Sequence, residues 1–87
     1  MLSAPKAFVY ILRSKRNGRY YIGQTTDPEA RLQSHNAGLV KATRYQRPWT
    51  LAYTESCPDL TAARKREYEL KRWKSRKLLD ALVNSDR

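Results

Sequence analysis

Five residues in this chain have types and spacings suited to chemistry: Tyr10, Tyr21, Arg31, His35 and Glu67. Arg31 and His35 stand four apart on an apparent helix and so share a face. An arginine grips a phosphate with two parallel donors. A histidine moves protons near neutral pH, and His35 is the chain's single histidine. Tyr10 and Tyr21 stand on two apparent strands. Glu67 falls in the stripe Leu60, Ala63, Glu67, Leu70, whose 3-4-3 spacing marks the core-facing side of a helix. A carboxylate that projects inward, or to the edge of a core, needs a cation, a metal or a hydrogen-bond network. Hard divalent ions prefer such oxygens and keep several waters. Each residue also has an ordinary explanation. Tyrosine is a favoured strand residue, an Arg/His pair suits a solvated helix face, and Glu67 with Lys71 makes a common i, i+4 surface pair.

The elements that position these groups are legible from pattern. Residues 8–12 and 19–24 read as strands joined at Asn17-Gly18, a strong hairpin signal. A turn centred there pairs residue 10 with 25 and residue 21 with 14. Tyr10 and Tyr21 then share a face, offset by four residues, or roughly 13 Å; a wider turn brings them closer. Gly23, inside the second strand, marks a bulge or a close backbone approach, such as a substrate backbone beside Tyr21. Asp27 caps and Pro28 starts a helix that runs to about Ala37, with Gly38 as a left-handed stop. That helix is mostly polar, with Leu32 and, just past its end, Leu39 as its main apolar residues, so more than burial must hold it. Residues 40–48 form a basic loop. Trp49, Leu51 and Tyr53 alternate on one face of a third strand. Pro58-Asp59 ends it, and a long helix covers residues 60–73, capped by Asp59 or Thr61. Ser75 starts a last helix with Leu78, Leu79, Leu82 and Val83 on one stripe.

Composition bounds the rest. Eighteen Lys and Arg against eight Asp and Glu give a formal net charge of +10. That favours a polyanionic partner: DNA, RNA or an acidic membrane surface. One cysteine, Cys57, excludes an internal disulfide and a zinc knuckle, and it reads as structural in a cytoplasmic protein. The longest apolar run is far short of the ~20 residues that span a bilayer. Residues 1–6 lack a signal-peptide pattern. One domain over 1–87, with its core at about 8–83, is expected, with no room for a second.

In order and spacing, these features resemble the GIY-YIG nuclease domain. Phe8-Val9-Tyr10 stands where the first triplet belongs, and Tyr21-Ile22-Gly23 is the second triplet intact. Arg31 follows ten residues after Tyr21, and His35 four later. Arg66-Glu67 with Leu70-Lys71 resembles the family's acidic helix segment. His35-Asn36, Arg47-Pro48-Trp49 and Leu70 to Trp73 resemble the small stand-alone bacterial members. Phe8 departs from the expected glycine. The resemblance implies a three-stranded antiparallel sheet flanked by helices in the order β-β-α-β-α-α. It implies a metal-dependent endonuclease acting on DNA, branched or single-stranded forms included. One divalent ion, Mg²⁺ or Mn²⁺, would sit on Glu67. Tyr10 would act as base or position the attacking water, Tyr21 would assist, Arg31 would hold the scissile phosphate, and His35 would support proton transfer.

Lys41, Arg44, Tyr45 and Arg47 in the basic loop suit backbone contact and base stacking. Lys71 and Lys74 belong to a second basic surface with Arg72, Arg76 and Lys77. A non-catalytic nucleic-acid-binding module of the same fold explains the charge but not Glu67 on an apolar stripe. A scaffold that docks through its last helix explains the leucines alone. A membrane-surface role lacks a broad aromatic-apolar face. A protein partner or a homodimer would supply specificity that so short a chain lacks.

Overall fold

The computed structural model describes residues 6–85; the leader assessment at residues 1–5 and the chain end lie outside the described residues. The order is β1 (Ala7–Ser14), β2 (Tyr20–Thr25), α1 (Pro28–Asn36), a 3₁₀ turn (Arg44–Gln46), β3 (Trp49–Cys57), α2 (Leu60–Trp73) and α3 (Arg76–Asn84). The strands form one antiparallel sheet in the order β2-β1-β3. This is the expected β-β-α-β-α-α architecture.

β1 is the central strand and is buried on both faces, which its near-continuous apolar run anticipates. Val9 and Ile11 point to one face, packing with Ala63, Leu70 and Val83 of the C-terminal helices. Tyr10 and Leu12 point to the other, packing with Tyr21, Trp49, Leu51 and Leu32 of α1.

The β1–β2 register differs from the two-residue turn. Tyr10 pairs with Gly23, and Leu12 with Tyr21. Ser14 N–H donates to Arg19 O, leaving a four-residue loop at 15–18. A two-residue turn on Asn17-Gly18 needs positive φ at both, yet Gly18 has φ +76 while Asn17 lacks positive φ. Ser14 Oγ instead accepts from the backbone N–H groups of Arg16 and Asn17, which holds the wider loop. The change of two residues preserves the shared face, because side chains alternate with period two. It brings the tyrosine rings to 6.5 Å between centroids.

Gly23 is neither a bulge nor a landing place for a substrate backbone. The β1–β2 pairing runs through it without a break. A Cβ there would lie 2.5 Å from Tyr10 Oη and 2.6 Å from Tyr10 Cζ. The missing side chain makes room for the Tyr10 phenol.

The bulge lies in β3. Tyr53 pairs with Ile11 but Leu51 pairs with Leu12, so Ala52 is the extra residue. Trp49 and Leu51 therefore face α1, while Tyr53 packs against the opposite cluster. The expected single face for Trp49, Leu51 and Tyr53 is corrected, since one inserted residue inverts the alternation.

The helices start where their caps stand. Asp27, Asp59 and Ser75 accept from Ala30 N, Ala62 N and Leu78 N. α1 ends in a Schellman arrangement: Leu39 N–H donates to Ser34 O, Gly38 N–H to His35 O, and Gly38 has φ +81. Leu39 is 74% exposed, so it holds nothing in the core. On α3, Val83 is buried and Leu79 and Leu82 pack beside it, while Leu78 turns outward. α1 is anchored by polar groups instead. Asn36 accepts from Trp49 N–H and donates to Trp49 O, tying the helix to the start of β3. His35 supplies the second tie.

Gly23→Ala forces the Tyr10 ring out of its place. Overpacking of this kind costs about 1–3 kcal/mol, so the melting temperature should drop by several degrees. An unchanged thermal transition would refute the assigned role of Gly23.

Candidate functional site

His35 is fully buried, an unusual place for the one imidazole of a basic chain. Its Nε2 lies 2.9 Å from Tyr10 Oη, and its Nδ1 lies 2.8 Å from Thr43 Oγ1. Thr43 is also buried, and its hydroxyl donates to Val40 O at 3.4 Å. Both ring nitrogens are thus partnered, and the direction of each hydrogen bond follows the tautomer. In the tautomer with the proton on Nδ1, Thr43 Oγ1 accepts from His35 Nδ1–H and gives its own proton to Val40 O. His35 Nε2 is then the unprotonated nitrogen, and the Tyr10 phenol donates to it. The result is a one-way line: Tyr10 to His35, His35 to Thr43, Thr43 to Val40.

Electrostatics sets the charge of the ring. Burial, and then the nearby Arg31 charge, push the His35 pKa down to about 4, so the ring is neutral at pH 7. Burial raises the Tyr10 phenol above its usual value. Arg31 works against that rise, while Tyr21 and Glu67 add to it. Tyr10 is therefore a protonated phenol at rest, with a base waiting at its hydrogen.

Tyr21 completes the aromatic wall. Its ring lies 5.1 Å from the imidazole and 6.3 Å from Trp49, both edge-on, and it remains half-exposed where Tyr10 is buried. Arg31 sits one turn before His35 on α1, half-exposed and close enough to shift both titrating groups. Tyr10, Tyr21, Arg31 and His35 thus come together on the α1 side of the sheet.

Glu67 stands at the margin. Its carboxylate is 21% exposed and lies 2.6 Å from Lys71 Nζ, the i, i+4 pair. Its charge reaches Tyr10. Among the described residues no group of three or more His, Cys, Asp or Glu converges to hold a metal. A cation here would rest on one protein carboxylate. That fits Mg²⁺, which commonly binds through one or two carboxylates, waters and substrate phosphate. An ion pair with a half-exposed lysine is worth about 0–1 kcal/mol and is readily exchanged.

The flanking basic residues divide. Lys41, Lys74 and Arg47 are exposed, Tyr45 is 76% exposed, and Arg44, half-buried, opens the 3₁₀ turn that Arg47 follows. Lys71 is engaged by Glu67. Arg76 serves the fold: it pairs with Asp80, donates to Gly18 O and covers the Tyr20 ring at 4.1 Å. Thr43 has no signature in the sequence that marks it for this site. A threonine in a basic loop carries no periodic signal, and only the folded chain sets it against His35.

A three-stranded antiparallel sheet with this helix order, carrying a tyrosine pair, an arginine and a histidine on one face, defines a small α+β domain of the GIY-YIG type. The model of the GIY-YIG catalytic domain matches residues 6–80, and the chain belongs to that family. It is 45% identical over 67 residues to UPF0213 protein SH2523 of Staphylococcus haemolyticus, covering 76% of this chain and 80% of that one. It is 44% identical over 64 residues to a UPF0213 protein of Halobacterium salinarum, covering 72% and 82%. The solution structure of UPF0213 protein BH0048 from Bacillus halodurans superposes with a TM-score of 0.56 at 38% identity, over 90% of this chain and 82% of that one. No helix among the described residues is long and apolar enough to cross a membrane.

The low His35 pKa carries a stability consequence with a definite sign. The folded value, about 4, lies below the ordinary 6.5, so the unfolded chain binds the proton first. The contribution is present above pH 6.5 and drains away as pH falls towards 4, by on the order of 1–3 kcal/mol. Urea unfolding at pH 7, 6 and 5 should show that loss, and His35→Gln should flatten it. In nitrogen NMR at pH 7, His35 Nε2 should carry the shift of an unprotonated ring nitrogen; a protonated Nε2 would reverse the line.

Proposed function

We propose that this chain binds nucleic acid at the Tyr10–Tyr21–Arg31–His35 site and hydrolyses a backbone phosphodiester there. The observation that carries the reading is the buried Tyr10–His35–Thr43 line beside Arg31. A phenol backed by a neutral imidazole has no evident structural need for an adjacent guanidinium. It suits a proton path that begins at an anion.

The chemistry follows from the protonation states. A resting phenol cannot take a proton unless it gives one up. As water attacks phosphorus, its proton passes to Tyr10 Oη while the Tyr10 proton passes to His35 Nε2. The new P–O bond forms, the bond to the leaving oxygen breaks, and solvent protonates the leaving group. Thr43 keeps Nε2 free to receive. Arg31 pairs with the phosphate and stabilises the charge that grows on it. Burial does most to hold the imidazole pKa down, and bringing that anion to Arg31 offsets the second cause, the guanidinium charge. A divalent ion on Glu67, Mg²⁺ or Mn²⁺, would supply Lewis acidity at the phosphate when bound.

Binding without hydrolysis is the second reading. It is favoured by the lack of a converging metal-ligand cluster among the described residues and by the net charge of +10. The two readings share the same phosphate contact and part at the proton path.

Labelled single-stranded, duplex, flap and branched DNA, incubated with the purified chain in Mg²⁺, Mn²⁺ or EDTA, tests both. Salt-sensitive binding and metal-dependent cleavage are expected. Tyr10→Phe should slow cleavage by about 10²-fold or more while binding stays within a few-fold. Arg31→Ala should weaken both, and Glu67→Ala should remove the metal-dependent part. Binding with no cutting in any metal leaves only the module. Absence of binding sinks both readings.

A further inference from the structure

Beside the site, a cavity of about 330 Å³ is lined by Arg16, Asn36, Arg44, Tyr45, Arg47 and Pro48. Three of the six are arginines, drawn from two segments far apart in sequence: the hairpin loop and the turn before β3. None of the three pairs with a carboxylate among the described residues. Asn36 is committed to the backbone of Trp49, and Arg47 Nε to Arg44 O. Arg44 Nε is buried with no hydrogen-bond partner among the described residues. A buried donor left empty is costly, and a bound anion is one group that would supply the missing partner.

The walls are fixed by hydrogen bonds between the two segments. Ser14 Oγ donates to Gln46 O at 2.7 Å, and Lys15 N–H donates to Pro48 O at 2.8 Å. Trp49 Nε1–H donates to Thr43 O at 3.0 Å. Three like charges are thus held around one space with no paired carboxylate among the described residues. Tyr45 presents its exposed ring at the same cavity.

The geometry points to a second phosphate site, taking one nucleotide of a nucleic-acid strand, with its phosphate on Arg16, Arg44 and Arg47 and its base on Tyr45. Clefts of about 300–1,000 Å³ are the usual size for small ligands, so the space admits more than a bare phosphate. Flat aromatic rings accept any base by stacking. The assignment deepens the proposed function by placing a strand's neighbouring nucleotide next to the Tyr10 site: Thr43 reaches inward to His35, and the next residue, Arg44, lines the cavity.

The test reads the arginine Nε–Hε resonances by NMR during titration with inorganic phosphate, thymidine 5′-monophosphate and a short thymidine oligonucleotide. The oligonucleotide should shift Arg44 Nε–Hε saturably, and the two smaller probes should produce the same shift at higher concentration. Arg16 is exposed, so Arg16→Ala leaves the fold intact. That variant should weaken oligonucleotide binding by about tenfold and lower the salt slope by about one. Tyr45→Ala should weaken oligonucleotide binding by about tenfold and leave inorganic phosphate binding unchanged. An Arg44 resonance that no probe moves overturns the site. Saturation by the mononucleotide with no response to the oligonucleotide overturns the strand assignment. Unchanged affinity and salt slope in both variants also overturns it. None of these readouts involves cleavage, so a chain that binds here and never cuts fails the hydrolysis reading alone.

Discussion

The burial of His35 is the constraint around which the site side of this structure is arranged. An imidazole with no exposed surface must find partners for both nitrogens. It finds Tyr10 on the central strand and Thr43 on the loop before β3. Those two bonds join α1, the sheet and the loop, which are otherwise linked by few apolar contacts. α1 is mostly polar and adds only Leu32 to the cluster beneath it. A helix of that kind is not driven onto a sheet by burial; directed hydrogen bonds hold it, together with the Asn36 clasp on Trp49. The groups best suited to chemistry are also those that place the helix, and stability and reactivity there draw on the same contacts.

The sheet has a corresponding division of labour. One face of β1 meets Ala63, Leu70 and Val83 and is an ordinary apolar interior. The other holds Tyr10 and Leu12 against aromatic rings and the imidazole. A chain of this size buries only about 60–65% of the surface it would otherwise expose. It cannot isolate its polar site from its core, so the site forms the second core.

Much of this was readable in the sequence. Element boundaries follow caps and breakers: Asp27 with Pro28, Gly38, Pro58-Asp59 and Ser75 each mark where an element begins or ends. The types and spacing of Tyr10, Tyr21, Arg31 and His35 mark them in the sequence, and the fold brings them together. Details that depend on counting residues across space were less legible. The hairpin opened by two residues because Ser14 captures loop N–H groups, which no dipeptide rule records. Glu67 lies on an apolar stripe, yet Lys71 one turn on pairs with it at the helix surface. Thr43 and Arg16 gained their settings only when the loop and the hairpin closed on one another.

Ala52 shows how little chemistry can carry a large distinction. The residue itself is small and unremarkable in kind, but it is one more than strict alternation allows. Across it the odd-numbered residues change face: Trp49 and Leu51 look towards the imidazole, Tyr53 and Cys57 towards the opposite helices. Deleting Ala52 would leave Leu51 and Tyr53 adjacent on a regular strand and still on opposite faces, whereas pairing Ala52 in register without the bulge would turn one half of the strand to the wrong face. What β3 encodes here is parity, and parity is a property of the count that substitution of one side chain for another leaves untouched.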